Sequence, residues 1–486
     1  MSEKTSVLEN YPNYEIDIGI EIHVQLTTKS KIFCTCKNKV TENQNSQICQ
    51  ICSGYPGVLP ILNKDVVNKA VLMGLATNSE IAPISVFARK HYFYPDLPKN
   101  YQITQDSMPI CKNGFVEIRL KDGSRKKIRL MRIHMEEDAG KNLHAAVSDE
   151  SFVDLNRAGT PLLEIVTLPD IKSTEEAKEY LKTLRLIVQY LNICSGNMEE
   201  GAFRGDTNIS VRKRGQKELG IRCELKNINS FKYISDAIEY EIERQITALE
   251  NGEKIRQETR LWDDKNKKTI VMRSKEEAAD YRYLEDPDLP LVEVSNEWKE
   301  RIKAQLPELP QQKLDRFVND IGLSEYESEI LINDIQLANY FENAHKINSS
   351  KQIINWILRD VIGYLKEHNQ SLIEFKVTPD KLAQLISLLE SGKINNPTAK
   401  EVFEEIANSG KNPEDIVKDK GLEQIGSEEE IEKIILEIIK QNSEQAEQLK
   451  SGKDKLFGFF VGQAMQKTKG KGDPQIIQKL LKKHLS

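Results

Sequence analysis

Residues 16–26 alternate without exception. Ile16, Ile18, Ile20, Ile22, Val24 and Leu26 are apolar, and Asp17, Gly19, Glu21, His23 and Gln25 between them are polar or glycine. A period of two predicts a strand with one buried face, and it sets Glu21 and His23 side by side on the other. Branched and apolar content predicts a strand at 127–135, paired with 115–120 across Asp122-Gly123, and further strands at 153–155 and 162–166. Helical periods lie between them. Residues 64–77 read as one helix. Ser173-x-x-Glu176 is a capping box ahead of a stripe of Ala177, Tyr180, Leu181, Leu184, Ile187, Val188 and Leu191. A second stripe, Ile234 to Ile246, stops near Gly252.

Strand and helix alternate to about Val294. From Trp298 onward only helical periods remain, broken at residues such as Pro310, Gly322, Gly392, Gly410 and Pro413. The pattern predicts an α+β chain: a domain of antiparallel sheet and helices over 1–295, an all-helical domain over 296–408, and a small helical tail over 409–486. Asn408 to Pro413 reads as the hinge into that tail. The tail opens on an acidic helical region at 428–447 and closes on a helix capped by Asp473, with Pro474 at its first position.

A chain of 486 residues is too long for one core, which agrees with this division. No apolar run reaches the roughly 18 residues of a membrane span. Met-Ser-Glu-Lys-Thr at the start has neither an apolar signal core nor an Arg-rich transit pattern. The expectation is a cytoplasmic protein without membrane contact. A net charge of −6 excludes a wholly basic nucleic-acid binder but leaves room for a local patch. Residues 455–486 hold seven Lys and one Asp, either a solvated lysine face or a contact with an RNA backbone.

Four of the seven cysteines cluster as Cys34-x-Cys36 and Cys49-x-x-Cys52, the spacing of a small zinc knuckle. With four sulfur ligands such a site has no open position, so its role is structural. His134-Met135-Glu136-Glu137-Asp138-Ala139-Gly140-Lys141 places an imidazole, three carboxylates and a lysine at a strand end. It is either an acidic surface turn or a site for a hard cation such as Mg²⁺. In strand phase Glu136 shares a face with His134, and the sequence does not choose between Glu136 and Glu137. Arg89 to Tyr101 mixes cations, aromatics and prolines, either a stiff packed loop or one that presents Lys90 and Lys99 to phosphate or RNA. There is no P-loop, no Gly-x-Gly-x-x-Gly after a strand and no Gly-x-Ser-x-Gly elbow.

Together these segments resemble the B subunits of the tRNA-dependent amidotransferases. The likeness is carried by Gly19 to Val24, Tyr92 to Asp96, His134 to Lys141, Val153 to Glu164, Met198 to Ser210, Glu224 to Phe231, Gln257 to Arg260 and Asp280 to Tyr283, with Gly458 to Pro474 in the tail. It implies a cradle domain, a helical domain and a tRNA-binding tail. It also implies an ATP- and Mg²⁺-dependent ligase that phosphorylates the side-chain carboxylate of Glu-tRNA(Gln), Asp-tRNA(Asn) or both. Ammonia would come from an amidase, the A subunit, and a small C subunit would complete the heterotrimer. By the same resemblance Glu21, His23, Glu136 and Glu137 are catalytic, with Glu21, His23 and Glu137 as metal ligands and Glu136 a close rival. Lys90, Asp138, Lys141, Asn156, Arg204, Asp206, Glu224, Lys226 and Asn227 would bind the nucleotide. The four cysteines match a zinc site found in some members. Gly205 stands where the motif is expected to carry Cys.

Two other classes compete. A zinc-ribbon tRNA-binding protein without catalysis would bind tRNA with no ATP dependence. A hydrolase using Glu21, His23 and Glu137 would take water, not ammonia, as nucleophile.

Overall fold

The computed structural model describes residues 6–486 apart from 145–149, 229, 275–280, 424–427, 451–452, 454, 469–471, 473 and 486. It divides into two compact units, Met1–Lys313 and Leu314–Ser486.

The first unit is built on a nine-stranded sheet. In chain order the strands of this unit are β1 (Tyr14–Gln25), β2 (Glu80–Ile81), β3 (Ile84–Ser85), β4 (Ala88–His91), β5 (Tyr101–Thr104), β6 (Cys111–Arg119), β7 (Arg125–Glu137), β8 (Lys141–His144), β9 (Ser151–Asp154), β10 (Pro161–Thr167), β11 (Phe203–Lys213), β12 (Cys223–Ile228), β13 (Glu258–Asp263), β14 (Lys268–Ser274), β15 (Leu284–Glu285) and β16 (Val292–Glu293). The large sheet runs β14-β13-β12-β11-β1-β10-β7-β6-β2. It is antiparallel except that β12 and β13 pair in parallel. The long helix α3 (Phe231–Glu250) lies between them in the chain, as a parallel crossover requires. The architecture is α+β as expected, with a mixed rather than purely antiparallel sheet.

β1 lies at the centre, between β10 and β11. Its even positions, Ile16 to Leu26, are all buried in one large apolar cluster. Helix α1 (Lys64–Ala76), helix α2 (Thr174–Tyr190) and α3 bury their own stripes in the same cluster. The Ser173 hydroxyl caps α2 by accepting from the Glu176 N–H. Gly205, paired with Ile22, faces this core: a Cβ there would meet the Ile22 δ-methyl at 2.8 Å. The departure at this position therefore concerns packing beneath the strand, not its polar face.

Helix begins to dominate at α4 (Asn296–Lys303), yet Ile302 of that helix is buried in the core of the first unit. The Trp298 indole N–H donates to Asn68 Oδ1 of α1 at 2.8 Å.

The second unit is helical and holds two apolar clusters, one from Leu314 to Val417 and one from Ile431 to Leu485. The expected hinge at Asn408–Pro413 is instead a fastened corner. Gly410, at φ 74°, caps the helix Asn396–Ser409. Lys376 Nζ donates to Asn408 O at 2.5 Å, and Lys381 Nζ to Gly410 O at 2.7 Å. The next helix, Pro413–Asp419, buries Ile416 and Val417 in the first cluster. Asp473, the expected cap of the last helix, lies outside the described residues.

Candidate functional site

The helices cover one face of the sheet, and the other carries the chemistry. Cross-strand pairing sets residues of neighbouring strands directly opposite one another. His23 on β1 faces Glu164 on β10, and Glu164 faces His134 on β7. On the other side of β1, His23 faces Arg204 and Glu21 faces Asp206. One row thus reads Arg204, His23, Glu164, His134 across four strands. Glu136, two residues beyond His134, stays on the same face.

His23, Glu136 and Glu164 bring one ligand atom each to within 4.8 Å of one another. His23 Nε2 lies 3.4 Å from both Glu136 and Glu164, and His134 Nε2 lies 3.5 Å from Glu164. Both carboxylates are buried. Burial works against a charged His23, but hydrogen bonds and charge from Glu136 and Glu164 outweigh it and raise its pKa to about 10. The same balance raises His134 to about 9. Burial alone would raise Glu136, but the imidazoles of His134 and His23 bring it down to about 2. Two buried carboxylates thus hold a positive charge between them. Hard oxygens with one imidazole are a fitting donor set for Mg²⁺ or Mn²⁺. An imidazole must lose its proton to bind a metal. The affinity for Mn²⁺ should therefore rise with pH up to about 10, roughly tenfold per unit for one displaced proton. Calorimetry in buffers of different ionisation enthalpy checks this; binding that is flat across that range would refute it.

Glu137 is placed elsewhere. Period two turns it away from Glu136, and it accepts from the Ile103 N–H at 2.9 Å and from the Lys99 ammonium. Glu21 adjoins the cluster, accepting from Asn208 Nδ2 at 2.9 Å. Burial and then the charge of Glu164 raise its pKa.

Next to Glu21, Lys226 Nζ lies 2.7 Å from Asp206 and 3.1 Å from Glu224. Arg204 reaches Asp138 at 2.8 Å, and Gln25 donates to the same oxygen. Lys90 sits over the Tyr281 ring, 4.8 Å from its centroid, and is not extended into solvent. Lys141 is exposed on the β8–β9 ribbon. The side chain of Asn227 lies outside the described residues. Glu164 was not among the residues expected at the site. A signal for it exists: a lone carboxylate inside Leu162-Leu163-Glu164-Ile165-Val166 is costly to bury without a partner.

The Cys34, Cys36, Cys49 and Cys52 sulfurs all lie within 4.8 Å of one another, and the Cys49 and Cys52 sulfurs are 3.9 Å apart. A tetrahedral zinc with bonds of about 2.3 Å sets its sulfurs about 3.8 Å apart, so the set fits zinc. A hydrogen bond from Cys34, the Cys49 N–H and the Lys31 ammonium hold the Cys52 thiol down to about 4, against the effect of burial. Asn156 belongs to this knuckle: its Oδ1 accepts from the Gln47 N–H at 2.8 Å, and its Nδ2 donates to Asn43 O at 2.7 Å.

A helix-backed sheet with carboxylates, imidazoles and cations on its open face is here the scaffold of a catalytic domain. Residues 16–300 match the GatB/GatE catalytic domain, and residues 339–485 match the GatB domain. The chain is 51% identical over 473 residues to the aspartyl/glutamyl-tRNA(Asn/Gln) amidotransferase B subunit of Thermodesulfovibrio yellowstonii, covering 97% of this chain and 99% of that one. It is 52% identical over 476 residues to the protein of the same name from Geotalea daltonii, with the same coverage. It is 50% identical over 484 residues to that of Crocosphaera subtropica, covering 97% and 98%. The chain belongs to the family of aspartyl/glutamyl-tRNA(Asn/Gln) amidotransferase B subunits.

Proposed function

We propose that this chain activates the side-chain carboxylate of glutamate or aspartate mischarged on tRNA, by ATP-dependent phosphorylation, and then directs its amidation. The observation that carries this is the buried His23–Glu136–Glu164 cluster on the open sheet face of a family member. A carboxylate oxygen of the aminoacyl group bonds to the γ-phosphorus of ATP, and ADP leaves. Ammonia then bonds to the acyl carbon and loses a proton, and phosphate departs as the amide forms. His23, Glu136 and Glu164 would hold a divalent ion, with Glu21 beside it. Such an ion, when bound, supplies neutralisation of phosphoryl oxygens. Lys226 and Arg204 flank the cluster on the β11–β12 side, where cations suit a triphosphate. Ammonia would come from an amidase partner, the A subunit, in a heterotrimer completed by a small C subunit, in the cytoplasm where translation proceeds.

The test is conversion of mischarged tRNA by the assembled complex with free ammonium as nitrogen donor. Amide formation that needs ATP supports the proposal. Binding of tRNA without turnover would favour a non-catalytic role, and release of free amino acid a hydrolase.

The tail, 409–486, would dock tRNA through its lysines. Part of its positive excess is met internally, since Lys467 pairs with Glu437 at 3.0 Å and Lys483 with Glu432 at 2.9 Å. Truncation after Glu423 leaves the first apolar cluster of the second unit whole. It should raise KM for charged tRNA roughly tenfold or more and flatten its salt dependence. Ammonia production by the amidase partner should persist. A KM and salt slope equal to those of the full chain would mean that the lysines are only solvated.

A further inference from the structure

A wall of aromatic rings stands beside the carboxylate cluster. Tyr92 meets Tyr94 and Tyr281 edge-on, each at 6.2 Å between centroids, and Tyr281 meets Tyr283 at 6.1 Å. The rings come from two separate segments held in register. Leu284 and Glu285 of β15 pair with Arg89 and Ala88 of β4. The His91 N–H donates to Tyr281 O at 2.9 Å, and Arg89 grips Asp286 at 3.0 Å and Asp288 at 2.7 Å. The wall therefore stands on the loop residues that leave β4 and enter β15, braced by that strand pairing and by Arg89. Even so it presents rings outward: Tyr94 is 59% exposed and Tyr283 42%, and Phe93, which lies between Tyr92 and Tyr94 in the chain, is 69% exposed.

This wall is close to the reacting centre. Burial first, then the charges of Glu136 and Glu137, push the Tyr92 hydroxyl up. Glu136 and Glu164 likewise favour the charged form of Lys90, over the opposing effect of burial. β5, next to β4, bonds to the β7 end directly: Thr104 Oγ1 reaches Glu136 at 3.2 Å, and Gln102 Nε2 donates to Glu137 O at 2.7 Å. The wall therefore flanks the cluster on its β7 side, whereas Lys226 and Arg204 flank it on the β11–β12 side. The two flanks differ in chemistry. One offers cations to phosphates, and the other offers ring faces.

We infer that this aromatic wall, through the exposed rings of Tyr94 and Tyr283 and of the neighbouring Phe93, binds the unpaired 3′ end of the charged tRNA by stacking on its bases. The inference rests on the function proposed above. An amino acid whose side-chain carboxylate lies at the cluster is esterified to the terminal ribose, so the last bases must lie against the protein surface that flanks the cluster. Unstacked bases at RNA ends are held on aromatic faces, and such stacking tolerates any base.

The experiment uses the assembled complex and two probes: intact uncharged tRNA, and the same tRNA lacking its 3′-terminal nucleotides. The wild type should bind the intact form roughly tenfold or more tightly than the trimmed form, from the loss of stacking on one or more bases. In a Tyr94→Leu, Tyr283→Leu double variant, and separately in Phe93→Leu, that ratio should shrink toward one, with KM for ATP and recovery of the whole heterotrimer unchanged. These rings are exposed, so the variants should fold; circular dichroism verifies this. A ratio as large in both variants as in the wild type overturns the inference. A rise in KM for ATP alone would assign the rings to the adenine of ATP, and failure of the heterotrimer to assemble would assign them to a protein interface; either outcome overturns it too. A wild type that binds neither tRNA form would sink the proposed function itself, a result distinct from these.

Discussion

Replacing Glu164 with glutamine should lower the rate of tRNA-dependent ADP release at least about a thousandfold, equivalent to about 4 kcal/mol of barrier. The change keeps shape and removes one charge. Glu164 lies opposite both His23 and His134 in the sheet register, so its carboxylate serves both sides of the cluster. Without it, Glu136 would be the one carboxylate of the cluster left to hold a divalent ion, and the ion would no longer be positioned to neutralise the phosphates. Glu136→Gln should behave alike. Glu137→Gln should differ, because that side chain braces Ile103 and Lys99 on the next layer. Its loss should appear chiefly as a lower melting temperature, with the rate reduced less than about tenfold. Near-normal rates in Glu164→Gln and Glu136→Gln would remove the cluster from the chemistry. So would a thousandfold loss in Glu137→Gln alone.

The second large effect concerns the four cysteines. A Cys49→Ala, Cys52→Ala double variant should lose the roughly one zinc per chain expected of the wild type, and its melting temperature should fall on the order of 10 °C. The loss should not stay local. Asn45 Nδ2 donates to Val153 O, and the Leu155 N–H donates back to Asn45 Oδ1, which ties the knuckle to the turn that precedes β10. That turn in turn holds Asp138, whose N–H donates to Thr160 O at 2.8 Å and whose carbonyl accepts from the Gly159 N–H at 2.9 Å. Asp138 anchors Arg204. KM for ATP should therefore rise along with the loss of metal. Wild-type protein that contains no zinc, or a double variant of unchanged stability, would end the assignment.

Much of the sheet was legible because one residue type repeated. The even positions of β1 are aliphatic and buried, and the polar positions between them share the opposite face. Strand phase also put Glu136 with His134, and the pairing of β7 with β10 keeps its register unbroken from Arg132 to Glu137. Glu164 was harder to read. β10 is buried on both faces, so its near-continuous apolar run concealed the carboxylate that joins the cluster. The convergence of β1, β7 and β10 depends on pairing between segments more than a hundred residues apart, which local pattern does not encode. The corner at 408–413 misled for another reason. Gly and Pro mark a left-handed cap and a first helical turn as readily as they mark a linker. Only the buried Ile416 and Val417 beyond them tell the two apart.

The central place of β1 has a consequence for biosynthesis. Its two neighbours, β10 and β11, begin 136 residues or more after it ends. At elongation rates of roughly 5–20 residues per second, that is a wait on the order of ten seconds. Throughout it both edges of β1 lack their partner strands, although α1 emerges in that interval to meet part of its apolar face. Such a nascent segment is a natural client for a ribosome-associated chaperone, and slowed translation between residues 26 and 161 should lower the soluble yield of this protein.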